Sequence, residues 1–292
     1  MIRRFLPGGA VALLAALPLN AQQGTPAAHR HASAAAKPVE VSIVARDYAF
    51  TAPDTVPAGL VTFRLRNEGK ELHHFWVVRL DQGRTLTDLR QAMGSTHGPP
   101  PAWMVNVGGP QPPAPGGESN ATLLLTPGNY AALCVIPAAD GKMHVMKGMS
   151  KAFTVTPARA ETAPAATAPR VEAMRADNAV RLVEYGFEFE RPLTAGRHTL
   201  RIRNEGDELH ELVLFRLKPG TNVAQALVWM EKMQGPPPLT MVGGITGLDR
   251  GRDAVIQADF TPGEYGLVCF VPDDEDGKPH FVHGMATQIS VK

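Results

Sequence analysis

Cysteine is almost missing from this chain: 292 residues hold two, Cys134 and Cys269. A disulfide scaffold and a four-thiolate zinc site are therefore excluded. An excess of one charge is missing too, since 29 Lys and Arg face 28 Asp and Glu. No basic surplus exists to neutralise a phosphate backbone, and no acidic block forms a solvating tail, so nucleic acid is not an expected partner. Beyond the first 21 residues no apolar run is long enough to cross a bilayer, which argues against a membrane-spanning chain. The hydrophobic share of 44% excludes wholesale disorder, and the 28 Gly and 26 Pro favour turn-rich β structure over a helical bundle. At about 150 residues per domain, the length suggests two domains.

Residues 1–21 read as a signal peptide: Arg3 and Arg4, an apolar run from Phe5 to Leu19, then Ala21 at a cleavage point. The expected protein is exported, periplasmic or secreted. Residues 22–37 read as a disordered tail in which His29 and His31 are solvated rather than metal-bound.

The rest of the chain is a duplication. Asn67-Glu68-Gly69 and Leu72-His73 recur as Asn204-Glu205-Gly206 and Leu209-His210. Thr126-Pro127-Gly128, Tyr130 and Cys134 recur as Thr261-Pro262-Gly263, Tyr265 and Cys269. His144 and Gly148-Met149 recur as His280 and Gly284-Met285. The units span 38–157 and 170–292, and an Ala/Pro-rich linker at 158–169 separates them. Period-two alternation at 39–44, 61–66 and 199–203 marks half-buried strands. Further strands are expected at 74–80, 119–126, 130–136, 153–155, 211–217, 254–260, 266–271 and 286–291. Gly- and Pro-rich stretches around 98–117 and 235–251 read as long loops, with His97 and His198 as loop residues. One helix interrupts each unit, at 86–93 and 223–233. The expected fold is all-β, two tandem sandwiches with one short inserted helix apiece.

Each unit carries one early His, then a Cys, a His and a Met near its end. The sets are His73, Cys134, His144 and Met149, and His210, Cys269, His280 and Met285. A trigonal His₂Cys set with a weak axial Met is blue-copper chemistry: thiolate and imidazole suit both copper oxidation states, and the thioether holds a geometry between their preferences.

On these motifs the chain resembles the cupredoxin (type-1 blue copper) family twice over, and its ligand loops look most like those of copper nitrite reductases. The resemblance implies a Greek-key sandwich per unit, with one type-1-like copper under each ligand loop. It departs from the small cupredoxins in two respects. Nine residues separate Cys134 from His144 and ten separate Cys269 from His280, and His74 or Glu211 follows the first His where many relatives have Asn.

The reading that follows is an electron-transfer protein serving soluble or membrane-bound redox partner proteins, with assembly into a homo-oligomer left open. Copper sequestration or delivery stands beside it, motivated by Met143 and Met146, as does a metal-free cupredoxin-like interaction domain. A Cys134–Cys269 disulfide is a fourth reading, which would require two separate cores to open toward each other. Copper enzymes of this kind place a His beside the blue-site Cys. Here Leu133 and Val135 flank one Cys, and Val268 and Phe270 the other, so a second, catalytic copper centre is not supported. His74 and His283, which lack counterparts in the other unit, read as surface or supporting residues.

Overall fold

The computed structural model describes residues 37–95, 100–157, 171 and 174–292. The signal segment, His29, His31, His97 and the linker expected at 158–169 lie outside these residues. Nine strands belong to the first repeat: β1 (Val39–Arg46), β2 (Ala49–Thr51), β3 (Thr55–Pro57), β4 (Gly59–Asn67), β5 (Trp76–Leu80), β6 (Met104–Gly108), β7 (Glu118–Leu125), β8 (Gly128–Leu133) and β9 (Ser150–Thr156). Eight belong to the second: β10 (Asn178–Val183), β11 (Gly186–Phe189), β12 (Gly196–Asn204), β13 (His210–Leu217), β14 (Leu239–Leu248), β15 (Asp253–Phe260), β16 (Gly263–Val268) and β17 (Ala286–Val291). Helix α1 (Leu86–Ser95) follows β5, and α2 (Val223–Lys232) follows β13.

Alternation produces the layers. In β1, Val41, Ile43 and Ala45 are buried while Glu40 and Ser42 face water. One sheet runs β2-β1-β4-β7 in the first repeat and the other β6-β5-β8-β9-β3, with β1 parallel to β4 and β3 parallel to β9. These nonlocal pairings make a Greek-key sandwich, and the second repeat reproduces its pattern with β11-β10-β12-β15 opposite β17-β16-β13-β14. The helices start where side chains satisfy free amides. Asn222 accepts from the Gln225 amide and Gln225 from the Asn222 amide, and Thr85 and Asp88 make the matching exchange at α1.

The halves are not beads on a string. Strand β7 pairs with β15 and β6 with β14, so each sheet runs continuously through both repeats. Asn120 bonds the Gln257 backbone in both directions, and buried Asn106 bonds Asp249 across the same seam. Leu72 packs into the apolar cluster of Phe215 and Leu217, while Leu209 packs into that of Trp76 and Leu80, so each repeat lends one Leu to the other. The seam also corrects the sequence reading. The stretches at 98–117 and 235–251 contain β6 and β14, whose Gly-Gly pairs disguise them as loops. A Cβ on Gly109 would lie 1.9 Å from the Phe75 carbonyl oxygen, and one on Gly244 would lie 1.9 Å from that of Leu212. Only glycine permits that approach. His198 is likewise a strand residue, within β12, and bonds Asp177 at 2.8 Å.

Candidate metal centres

Each centre is assembled from a short hairpin, the end of a strand and a long loop. In the first repeat, Asn67 anchors the segment leading to His73. Its carboxamide donates to the Glu71 and Pro113 carbonyls and accepts from the Gly69 amide. Asn204 does the same for His210 through Glu208, Leu248 and Gly206. The repeated Asn-x-Gly is thus a brace that fixes where the first His points.

The ligand loop is long because it folds back on itself. After Cys134 the chain makes a small hairpin, bridged at Pro137 and Met143, which returns so that the His144 amide donates to the Ile136 carbonyl and the Val145 amide to that of Cys134. A single 3₁₀ turn, His144–Lys147, then ends on Gly148 at φ 103°, a value that glycine adopts without strain. The Met149 amide donates to the His144 carbonyl, and the Cys134 amide to that of Met149. Every one of these contacts recurs around Cys269, His280 and Met285. The extra residue of the second loop is absorbed at the hairpin tip, where Asp273 accepts the Glu275 and Asp276 amides.

The expected donors meet. His73 Nδ1 lies 3.1 Å from His144 Nδ1, and Cys134 Sγ lies 3.4 Å from the same atom. In the second repeat the corresponding distances are 3.0 and 3.5 Å. All six side chains are buried. Met149 and Met285 are fully buried too, joined to their clusters through the backbone bonds above. The two cysteines are free, one in each cluster, so the disulfide reading fails.

The imidazoles are held from behind. His73 Nε2 meets Asp47 at 2.8 Å and His144 Nε2 meets Glu71 at 2.7 Å. Tyr48 donates to the other oxygen of Glu71 and stands edge-on to His144 at 5.0 Å. In the second repeat His280 Nε2 meets Glu208 at 3.1 Å, while His210 Nε2 sits 3.4 Å from Glu184 with no hydrogen-bond partner among the described residues. With each Nε2 turned to a carboxylate, the Nδ1 atoms are left facing one another and the sulfur. Carboxylate–imidazole pairs of this kind fix tautomer and ring orientation at metal sites. Sequence reasoning missed these carboxylates, although Asp47-Tyr48-x-Phe50 recurs as Glu184-Tyr185-x-Phe187 and Glu71-Leu72-His73 as Glu208-Leu209-His210. Tyr48 and Tyr185 share φ values of 69° and 58°, strain retained at both hairpin turns.

Electrostatics agree with a cation-shaped gap. Burial pushes the Cys134 thiol up to about 12, and burial together with Glu211 raises that of Cys269. Burial lowers His144 and His210, the latter further through His280. A metal must therefore displace a proton from each sulfur. Two nitrogens bonded to one metal at about 2 Å lie roughly 3–3.5 Å apart, which is the separation seen here. Two facing Nδ1 atoms and a sulfur form a borderline-to-soft donor set that suits copper.

Other residues stand apart from the donor sets. His74 is not at the surface: it is buried and its Nε2 accepts the Val135 amide at 3.0 Å. Glu211, also enclosed, accepts the Phe270 amide at 3.1 Å. His283 points away to Asp276 at 3.2 Å. Met143 packs against the apolar cluster beneath α1, and Met146 is 50% exposed. A further grouping of Asp273, Asp276 and His283 lies near the second loop's tip, where Lys278 already pairs with Asp276.

No protein-family profile matches the chain, and no curated protein matches it. Among solved structures, a dithionite-reduced auracyanin from the photosynthetic bacterium Roseiflexus castenholzii is 23% identical, with 42% of this chain covering all of that one at a TM-score of 0.29. Auracyanin A from Chloroflexus aurantiacus, titled a "blue" copper protein, is 18% identical over 41% of this chain and all of its own, at 0.31. A copper-containing nitrite reductase from Thermus scotoductus is 15% identical over 87% of this chain and 61% of its own, at 0.23. Superpositions this loose carry no argument about chemistry. It is the strand order of each repeat, with a buried Cys-His-His cluster at the same place in both, that makes the fold a tandem cupredoxin-like sandwich.

Proposed function

We propose that the protein binds one type-1-like copper in each repeat and carries single electrons. His73, Cys134 and His144 would hold one ion with Met149 as the axial sulfur, and His210, Cys269, His280 and Met285 the other. One observation carries the reading: two buried Nδ1–Nδ1–Sγ triads of nearly superimposable dimensions, each with its imidazoles turned inward by carboxylates. The brace at Asn67 and the hydrogen-bonded loop fix the donors in advance, and a copper held by them would supply one-electron chemistry with little movement of the protein.

A carrier fits better than an oxidase or reductase, because no His adjoins either Cys to lead electrons to a second centre. Export, read from residues 1–21, supplies an oxidising compartment, and the redox partners would be soluble or membrane-bound proteins. Among the described residues no helix is long and apolar enough to cross a membrane.

Titrating metal-free protein with Cu(II) tests the proposal. Two equivalents should bind with an intense visible thiolate-to-copper band, and Cys134→Ala and Cys269→Ala should each remove half of it. A colourless adduct, or binding that survives loss of both sulfurs, would overturn it.

A further inference from the structure

The residues after the first His of each cluster, His74 and Glu211, lie on either side of the seam, and one side chain lies between them. Gln111 Nε2 donates to Glu211 Oε2 at 2.7 Å and to the Ile245 carbonyl at 3.2 Å, which uses both of its hydrogens. Its carboxamide interacts on the other side with the ring of His74. Because His74 Nε2 accepts the Val135 amide, its proton sits on Nδ1, and the only complementary atom of Gln111 is Oε1. Buried to 1% exposure, Gln111 is clamped further by Ser119, which donates to its carbonyl at 2.6 Å, and by Gly244, whose absent Cβ would lie 3.3 Å from its Cγ.

The ends of this chain of contacts are the two cysteines. Val135 is bonded to Cys134, and Phe270, which donates to Glu211 Oε1, is bonded to Cys269. The Glu211 amide also donates to Cys269 Sγ at 3.4 Å. A route of covalent and polar contacts therefore runs from one sulfur to the other, buried at Cys134, His74, Gln111 and Cys269 and half-buried at Val135, Glu211 and Phe270. It is not a by-product of duplication. The repeat counterpart of Gln111 in the matching Val-Gly-Gly segment is Thr246, which spends its hydroxyl on the Gly109 carbonyl.

We propose that Gln111 is a positioning residue that wires the two centres together, so that an electron exchanges directly between the repeats of one chain. The inference rests on the proposed reading of both clusters as redox copper sites. An electron leaving the reduced centre of one repeat reduces the oxidised centre of the other, with no atom transferred and no outside oxidant. Contacts between groups held on both sides suit this task, because little along the route must reorganise when charge moves.

The test uses the full copper-loaded chain carrying Met149→Gln, a change of axial ligand that separates the two centres in colour and potential. After partial reduction by a fast one-electron pulse, one band should recover while the other bleaches, at a rate independent of protein concentration. Gln111→Met, similar in length but without polar atoms, should abolish that phase and leave both bands in place. His74→Leu, which cuts the same route one step earlier, should do likewise. Loss of the phase in either variant with both bands intact supports the proposal. Three results overturn it: no concentration-independent phase in the parent, an unchanged phase in both variants, or loss of colour in both, which would make the bridge mere scaffolding. Failure of the parent to take up two coloured coppers would instead refute the underlying function.

Discussion

At the scale of single residues, the repeated glycine of Asn-Glu-Gly shows how tightly a centre is framed. A Cβ on Gly69 would stand 2.4 Å from Asp47 Oδ1 and 2.6 Å from His73 Nε2, and one on Gly206 would stand 2.5 Å from His210 Nε2. The glycine is needed for space, since a side chain would occupy the gap where carboxylate meets imidazole. Gly69→Ala should therefore part Asp47 from His73 and weaken copper binding in the first repeat by about 10- to 100-fold, the usual cost of losing such a supporting contact. The second repeat should bind as before, so a titration should show one tight and one weakened equivalent. Equal affinity at both centres would mean that Asp47 does nothing for the site. Removing the brace itself, by Asn67→Ala, leaves the Glu71 and Pro113 carbonyls without their donor and should lower stability by about 1–3 kcal/mol in a denaturant melt.

The ligand loop, taken as an element, separates what must be constant from what is free to vary. Its two arms bond to Cys, His and Met in the same register in both repeats, whereas the tips differ by one residue. Deleting Glu275 from the exposed second tip should leave two coppers bound with an unaltered visible band, and should cost well under about 1 kcal/mol. A shifted band would show that the tip shapes the centre. The elements also show what was legible in the chain. The clustered His and Cys residues and most strands announced themselves by repetition and alternation, because paired buried clusters and half-buried strands leave strict patterns. Strands β6 and β14 did not, since close backbone approach at the seam replaced their signal with Gly-Gly. Two of the supporting carboxylates were hidden for another reason: Asp47 and Glu184 sit on a hairpin far from the clusters in sequence, and the substitution of one acid for the other blurs the repeat. Gln111 left no trace, because a bridge made by one repeat for both has no counterpart to align with.

At the scale of the whole molecule, the seam holds two titratable groups away from bulk water, His74 buried and Glu211 half-buried, and their effects on stability oppose each other. Burial raises Glu211 from 4.5 to about 7, against donors at Phe270 and Gln111, and burial lowers His74 from 6.5 to about 3. For Glu211 the folded protein holds its proton where the unfolded chain has lost it, so stability is full below pH 4.5 and declines as pH rises toward about 7. For His74 the unfolded chain gains a proton that the folded protein refuses, so stability is full above pH 6.5 and declines as pH falls toward about 3. The two trends cancel between pH 4.5 and 6.5, so the metal-free protein should hold its greatest stability on a plateau there, losing under about 1 kcal/mol above it through Glu211 and about 2 kcal/mol by pH 3 through His74. Thermal melts of metal-free protein across pH 4 to 9 would trace this plateau. In Glu211→Gln the plateau should give way to a climb of about 3 kcal/mol from pH 4 to 6.5, because the carboxamide still accepts the Phe270 amide without ever charging and His74 is left unopposed. Should the variant keep the parent's plateau, the seam would owe its pH response to groups other than Glu211 and His74.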